Sequence, residues 1–177
     1  MEYEGEYLYN KKWNGKGYDE IGNIIYELKN GTGKVKEYFP NCKLKFEGEY
    51  LNGKKNGKGK KYYDGRLEFE GEYLNGKKWE GKGYDLNNNI IYKLKEGKGF
   101  IKENDEDDNL IFEGEYLNGE RNGKGKEYYK DKLVFESEYL YGYRLKGKYY
   151  INERLEYEGE YLIENKYNKK DIMKTLI

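Results

Sequence analysis

"FEGEYLNGKKNGKGKKYYDGRL", residues 46–67, decides the fold. Its first half alternates an aromatic or small residue with a glutamate: Phe46, Gly48 and Tyr50 on one parity, Glu47 and Glu49 on the other. Period-two alternation with Tyr and Phe marks a strand, and Asn52-Gly53 and Asn56-Gly57 are hairpin punctuation. With Lys54-Lys55 placed at the tip, Phe46 faces Tyr63, Tyr50 faces Gly59 and Glu49 faces Lys60. One face then carries the aromatics, with a ring covering a glycine across the strand, while the other pairs glutamate with lysine and Tyr62. Asp64-Gly65-Arg66 fits a three-residue loop with Gly at the left-handed position.

The same phrase recurs along the chain. Units begin near residues 3, 26, 46, 69, 92, 112, 135 and 157, with spacings of 23, 20, 23, 23, 20, 23 and 22. A longer period of 66 residues lies over this: Trp13 returns as Trp79, and Asn23-Ile-Ile-Tyr26 as Asn89-Ile-Ile-Tyr92. A duplicated three-unit block explains both periods. An odd unit length turns each unit's faces over, so one odd loop or bulge per unit is required to keep the aromatics together. The expectation is all-β: an elongated, single-layer, twisted antiparallel sheet of consecutive hairpins over residues 1–167. Residues 168–177 break the pattern and form a cap or tail. There Asn168 or Asp171 is placed to cap a short helix with Ile172, Met173, Leu176 and Ile177 on its apolar side.

Composition limits what such an array can do. The chain has no Ala, Gln or His, while 38% of residues are charged and 18% aromatic. A thick aliphatic core is ruled out, and the aromatics argue against the disorder that high charge otherwise implies. Net charge is zero, which speaks against nucleic acid and against a polybasic membrane anchor. Lone Cys42 suits a reducing compartment. No signal peptide and no run near ~20 apolar residues is present. The expected location is the cytoplasm, with the periphery of a membrane or the cytoskeleton as the alternative.

Catalytic chemistry finds no foothold. Without His the commonest general base and metal ligand is missing. Ser137 stands where a repeat glycine belongs. Gly31-Thr-Gly33-Lys34 lacks the upstream Gly and following Ser/Thr of a phosphate loop. The acidic run 103–108 has Leu110 where a calcium loop needs its turn glycine. The expectation is no enzyme activity, no metal and no cofactor.

Phe46, Gly48, Tyr50, Asn52, Gly53, Gly57 and Gly59, repeated from Phe69 and Phe112, resemble the MORN repeat: an aromatic, x, Gly, x, an aromatic, then Asn-Gly, then Gly-x-Gly. Eight units are similar to it over residues 1 to about 162, with Leu28 and Leu94 in place of Gly in units two and five and Ser137 in unit seven. The resemblance implies single-layer hairpin arrays with a grooved face that serve as scaffolds and protein-binding modules, and in some cases as dimerising, membrane-linked or antitoxin-like elements. Large side chains with polar tips suit such contacts. The candidate groove residues are Tyr7, Trp13, Tyr50, Tyr73, Trp79, Tyr116, Tyr139 and Tyr161, the two tryptophans standing at turn positions. The expected partner is a protein offering a peptide or helix. A second copy joined through the terminal hairpins and an anionic lipid surface met by Lys54-Lys55 and Lys77-Lys78 are the alternatives.

Overall fold

A computed structural model describes residues 2–105, 107, 109–162 and 172–173. Every element is a β-strand, every ladder is antiparallel, and no helix occurs among the described residues. The chain divides into two compact units, residues 1–91 and 92–177. The first holds β1 (Glu2–Leu8), β2 (Lys11–Tyr18), β3 (Ile24–Leu28), β4 (Gly33–Tyr38), β5 (Leu44–Leu51), β6 (Lys54–Tyr63), β7 (Arg66–Leu74) and β8 (Lys77–Tyr84). The boundary falls inside β9 (Ile90–Leu94). The second unit holds β10 (Gly99–Asn104), β11 (Leu110–Leu117), β12 (Glu120–Tyr129), β13 (Lys132–Leu140), β14 (Tyr143–Ile151), β15 (Arg154–Leu162) and β16 (Ile172–Met173). The strands form three sheets, β1 to β3, β4 to β9 and β10 to β16, and within each sheet every strand pairs with its sequence neighbours, as a hairpin array requires.

The tip of the defining hairpin is Asn52-Gly53, not Lys54-Lys55. Leu51 pairs with Lys54, and φ is 51° at Asn52 and 70° at Gly53. Both turn residues need positive φ, which Asn-Gly tolerates and Lys-Lys resists. Phe46 accordingly faces Lys61 rather than Tyr63, Tyr50 faces Lys55 rather than Gly59, and Lys60 faces Glu47 rather than Glu49. A bulge in β6 sets the offset: Asn56, Gly57 and Lys58 lie opposite the single residue Glu49. It adds two residues, so the faces keep their identity. The loop expected at Asp64-Gly65-Arg66 is instead a two-residue turn with Tyr63 opposite Arg66, and the odd residue is a bulge at Glu68.

Trp13 and Trp79 lie within β2 and β8, not at hairpin tips. Trp79 is the extra residue between Tyr73–Lys78 and Glu72–Glu80. Leu145 holds the corresponding place in β14. The tips are laced to the hairpin before them. The Gly31 amide donates to the Trp13 carbonyl at 2.8 Å, Gly53 to Gly31 at 2.9 Å and Gly76 to Lys55 at 2.8 Å. Gly119 to Gly97 and Gly142 to Arg121 repeat this in the second unit.

Packing follows from glycine pairs. Gly48 faces Gly59 with the Phe46 ring across them: a Cβ on Gly48 would lie 2.7 Å from Phe46 Cζ, and one on Gly59 2.8 Å from the same ring. Phe112 covers Gly114 and Gly125 likewise, and Phe69 covers Gly81. Phe46, Phe69 and Phe112 are each 0% exposed although, among the described residues, the only elements are strands paired with their neighbours in open sheets. Where Leu28 and Leu94 replace the glycine, the ladder stops. β3 and β4 meet only through the bridge Lys29–Thr32, and β10 follows the corresponding bridge Lys95–Lys98. Leu28, Val35 and Tyr26 fill that break as a small cluster, with Leu94, Ile101 and Tyr92 buried at the second one.

At the C-terminus the expected helix does not include Ile172–Met173. These residues form a short strand on β15, Tyr161 opposite Met173 and Leu162 opposite Ile172. The other residues of that expected helix lie outside the described ones.

Ser137 tests the glycine rule in reverse. Its side chain is 4% exposed with an unpartnered hydroxyl, and it crowds the position of a Cβ on Gly147. Phe135, the ring of that unit, stacks on Tyr149 at 4.9 Å instead and is only half-buried. Ser137→Gly is expected to raise stability by about 1 kcal/mol through removal of the unsatisfied hydroxyl. Gly48→Ala is expected to lower it by about 2 kcal/mol through overpacking. Denaturant midpoints of the two variants against wild type check both signs.

Candidate functional site

Each pair of hairpin strands presents two faces of different chemistry. On the aromatic face, tyrosine, glutamate and a cation close over the central ring. In the first unit the Tyr50 hydroxyl donates to Glu37, Lys55 pairs with Glu37 at 3.1 Å, and Lys55 Nζ stands 4.0 Å from the Phe46 ring centre. In the second, Tyr116 donates to Glu103, Arg121 pairs with Glu103 at 2.7 Å, and its guanidinium lies 3.9 Å above Phe112. Tyr139, Glu127, Arg144 and Phe135 repeat the arrangement, with the guanidinium at 3.7 Å. Ring edges meet ring faces along the row: Phe46–Tyr73 at 5.3 Å and 90°, Phe112–Tyr139 at 5.5 Å and 89°. Such edge-to-face and cation-ring contacts each contribute about 0.5–1.5 kcal/mol beyond burial.

The sequence-derived candidates are therefore spread over different surroundings. Tyr73, Tyr139 and Tyr161 are buried among their neighbours, and Tyr50, Tyr116, Trp13 and Trp79 are partly covered. Tyr7 is 59% exposed. Tyr50, Tyr73, Tyr116, Tyr139 and Tyr161 take part in the ring row or its hydroxyl–carboxylate contacts. The tryptophans stand apart at the bulges.

The opposite face is charged and striped by strand. In the first unit β4 contributes Lys34 and Lys36, β5 Glu47 and Glu49, β6 Lys58 and Lys60, and β7 Glu70 and Glu72. In the second, Lys124 faces Glu138, Glu138 faces Lys146 and Lys146 faces Glu160. A parallel row runs Glu113, Lys126, Glu136, Lys148, Glu158. Between the two rows lies bare backbone: Gly48, Gly59 and Gly71 in one unit, Gly125, Ser137, Gly147 and Gly159 in the other. The result is a groove of about 580 Å³ in the first unit and about 750 Å³ in the second, glycine-floored and charge-walled. The wall pairs are loose, with Lys60–Glu70 at 3.9 Å, Lys148–Glu158 at 3.9 Å and Lys146–Glu138 at 3.3 Å. Exposed pairs of this kind are worth about 0–1 kcal/mol each, so a ligand redirects them at little cost. Sequence reasoning found these charges but assigned them to self-pairing. Both rows bearing the same sign on a strand was the available signal.

Acid–base properties follow this division. Burial, reinforced by Glu37, raises the Tyr50 hydroxyl well above its ordinary value; burial with Glu103 does so for Tyr116, and burial with Glu127 for Tyr139. On the charged face partial burial and a hydrogen bond to Glu47 push Tyr62 up to about 12, and Glu113 does the same to Tyr128. Burial works against the Glu127 carboxylate, yet Arg144 and Tyr139 hold it below the usual range. In the acidic run, Asp105 is a turn former. Its carboxylate accepts from the amides of Asp107 at 3.0 Å and Asn109 at 2.9 Å, repeating the Asp19–Asn23 and Asp85–Asn89 turns. No group of acidic or sulfur ligands suited to a metal occurs among the described residues.

Fold and site together define a β-hairpin repeat protein. The family model described as MORN repeat matches residues 46–65 and 112–134, and the chain carries MORN repeats there, consistent with a MORN-repeat family. No curated protein matches the chain. MORN repeats are in general non-catalytic modules that bind proteins or membranes.

The raised tyrosines give a pH dependence. Each contributes stability that is fully present below pH ~10, the ordinary tyrosine value, and is lost as pH rises through its folded value. The unfolded chain loses those protons first, so stability falls above pH ~10. In an alkaline titration followed by tyrosinate absorbance, the raised tyrosines are expected to ionise only as the fold is lost.

Proposed function

We propose that the protein is a non-catalytic binding module that holds a peptide or helix of a partner protein along its glycine-floored groove. The observation that carries this is the recurrence of one groove, with the same floor and the same charge stripes, in both units. The aromatic row on the other face gives the support rigidity, since rings locked over glycines and under cations resist deformation. Loosely paired wall charges supply orientation and choice of partner more than raw affinity. Exposed glycine backbone lets a partner approach closely at the floor.

A membrane reading has one observation of its own. Leu8, Leu51 and Leu74 are exposed beside the hairpin tips, and each lies directly opposite a lysine: Lys11, Lys54 and Lys77. An apolar row beside cations suits an anionic bilayer surface. The loose but balanced charge of the grooves favours the protein-binding reading.

Charge reversal in both grooves separates the two. Lys58→Glu with Lys60→Glu, combined with Lys124→Glu and Lys126→Glu, is expected to abolish capture of a partner held by wild type and to leave the strand content unchanged by circular dichroism. Purified partner and purified protein are then expected to reproduce the loss. Retained capture by the folded variant overturns the groove assignment. Wild-type binding to vesicles of anionic lipid, lost on Lys11→Glu with Lys54→Glu, replaces it with the membrane reading.

A further inference from the structure

Four strands that wall the grooves carry one phrase, Lys-X-Lys-X-Tyr. Lys58, Lys60 and Tyr62 form it on β6, Lys124, Lys126 and Tyr128 on β12, and the same spacing starts at Lys34 on β4 and at Lys146 on β14. Alternate residues of a strand share a face, so each of these strands sets two lysines and a tyrosine on the groove side. A single glutamate strand separates the two in each unit, β5 between β4 and β6, and β13 between β12 and β14. Lysine strands therefore recur every ~9.6 Å, twice the ~4.8 Å between neighbouring strands.

The two signs of charge are not equally committed. Glu47 accepts the Tyr62 hydroxyl at 2.8 Å, Glu113 that of Tyr128 at 2.8 Å and Glu136 that of Tyr150 at 3.4 Å. The Glu49 carboxylate accepts the Lys58 amide at 3.1 Å, and Glu115 accepts the Lys124 amide at 3.1 Å. By contrast, Lys34, Lys36, Lys58, Lys124 and Lys126 enter no ion pair among the described residues. The glutamates serve the sheet, while ammonium groups on alternate strands are open to a carboxylate from outside. Tyr62, Tyr128 and Tyr150, half-buried and tied to those glutamates, flank the lysines as fixed apolar plates.

This spacing selects a backbone. A polyproline II chain rises ~3.1 Å per residue with three residues per turn, so every third side chain points the same way at intervals of ~9.3 Å. An α-helix brings its nearest equivalent pair seven residues apart, at ~10.5 Å, and docks through an apolar seam that a floor of bare backbone between charges does not match. The two residues between successive third positions pass over a glutamate strand, which repels acidic side chains there and so turns away a continuous polyanion. Proline suits both places: it holds the extended conformation, and its ring packs on tyrosine. The carbonyls of such a chain are unpaired within it and accept from the wall lysines.

We propose that the grooves recognise a proline-rich segment of a partner protein, in the polyproline II conformation, that reads Glu-Pro-Pro-Glu. Each glutamate sits over a lysine strand, and each proline pair crosses the glutamate strand between. The proposal rests on the grooves being the binding surface and names the chemistry of their occupant.

The probe is a capped peptide of four Glu-Pro-Pro repeats, added to the full chain and followed by amide NMR. Three peptides serve as controls: one of the same composition with its four glutamates contiguous, one of four Lys-Pro-Pro repeats, and an alanine-rich helix with glutamates seven residues apart. The expected result is saturable, salt-weakened shifts at residues 58–62 and 124–128 with the first peptide, about tenfold weaker binding of the contiguous one and no response to the lysine peptide. Lys58→Gln with Lys60→Gln, combined with Lys124→Gln and Lys126→Gln, is expected to weaken the first peptide about tenfold. The contrast among peptides on wild type stands without that variant should it fail to fold. Equal binding of the contiguous peptide overturns the proposal, since charge alone then suffices. Tighter binding of the helical peptide at the same residues overturns it while leaving the grooves as the binding surface. Shifts from the first peptide confined to other residues overturn both. Silence of every peptide overturns the proposal, and partner capture by the charge-reversed protein then judges the grooves independently.

Discussion

A phenylalanine ring lying across a pair of facing glycines is the contact on which this structure depends. A single layer of strands has no second layer to bury its apolar side chains, so each unit must bury its own. Two glycines directly opposite one another remove the side chains that would stand under the ring, and Phe46 and Phe112 settle onto backbone to complete burial. Cations close the upper side of the rings, and tyrosine hydroxyls tie those cations and their glutamates to the next hairpin. A protein with so few aliphatic residues is held together by aromatic area spread over many small sites.

The same glycines make the other face usable. Seen from the charged side, the residue that seats the ring is a strip of bare backbone between two rows of lysine and glutamate. Groove and core thus share one row of residues, and neither is altered without the other. Ser137 illustrates this: the residue stands in the floor row of the second groove, its hydroxyl crowds the place of a Cβ on Gly147, and Phe135 stacks on Tyr149. Leu28 and Leu94 go further and interrupt the ladder, each compensated by a small apolar cluster.

Bulges reconcile an odd repeat with a constant facing. Units with Asn56-Gly57 or Asn122-Gly123 add two residues opposite one, and those with Trp79 or Leu145 add one. Further one-residue bulges follow the turns at the opposite ends of the strands, as at Glu68. Side chains at these points are redirected, which is how a tryptophan can sit in a strand without joining the ring row.

Period-two alternation and the Asn-Gly pairs in the sequence were sufficient for the strand content, the hairpin order, the repeat boundaries and the need for an odd residue in each unit, because these are local properties of the chain. Which residues face each other was not local. The pairing of Phe46 with Lys61 depends on bulges that no single strand announces, and moving the tip from Lys54-Lys55 to Asn52-Gly53 changes every partner at once. The tyrosines singled out from the sequence were chosen for their type; only the folded arrangement determined that Tyr73 and Tyr139 are buried among neighbouring rings while Tyr7, edge-on to Tyr3 at 5.2 Å, stays 59% exposed. Sequence alone fixes which residues are aromatic, charged or glycine, and tertiary structure decides which of them remain available, since burial is a property of neighbours rather than of the residue.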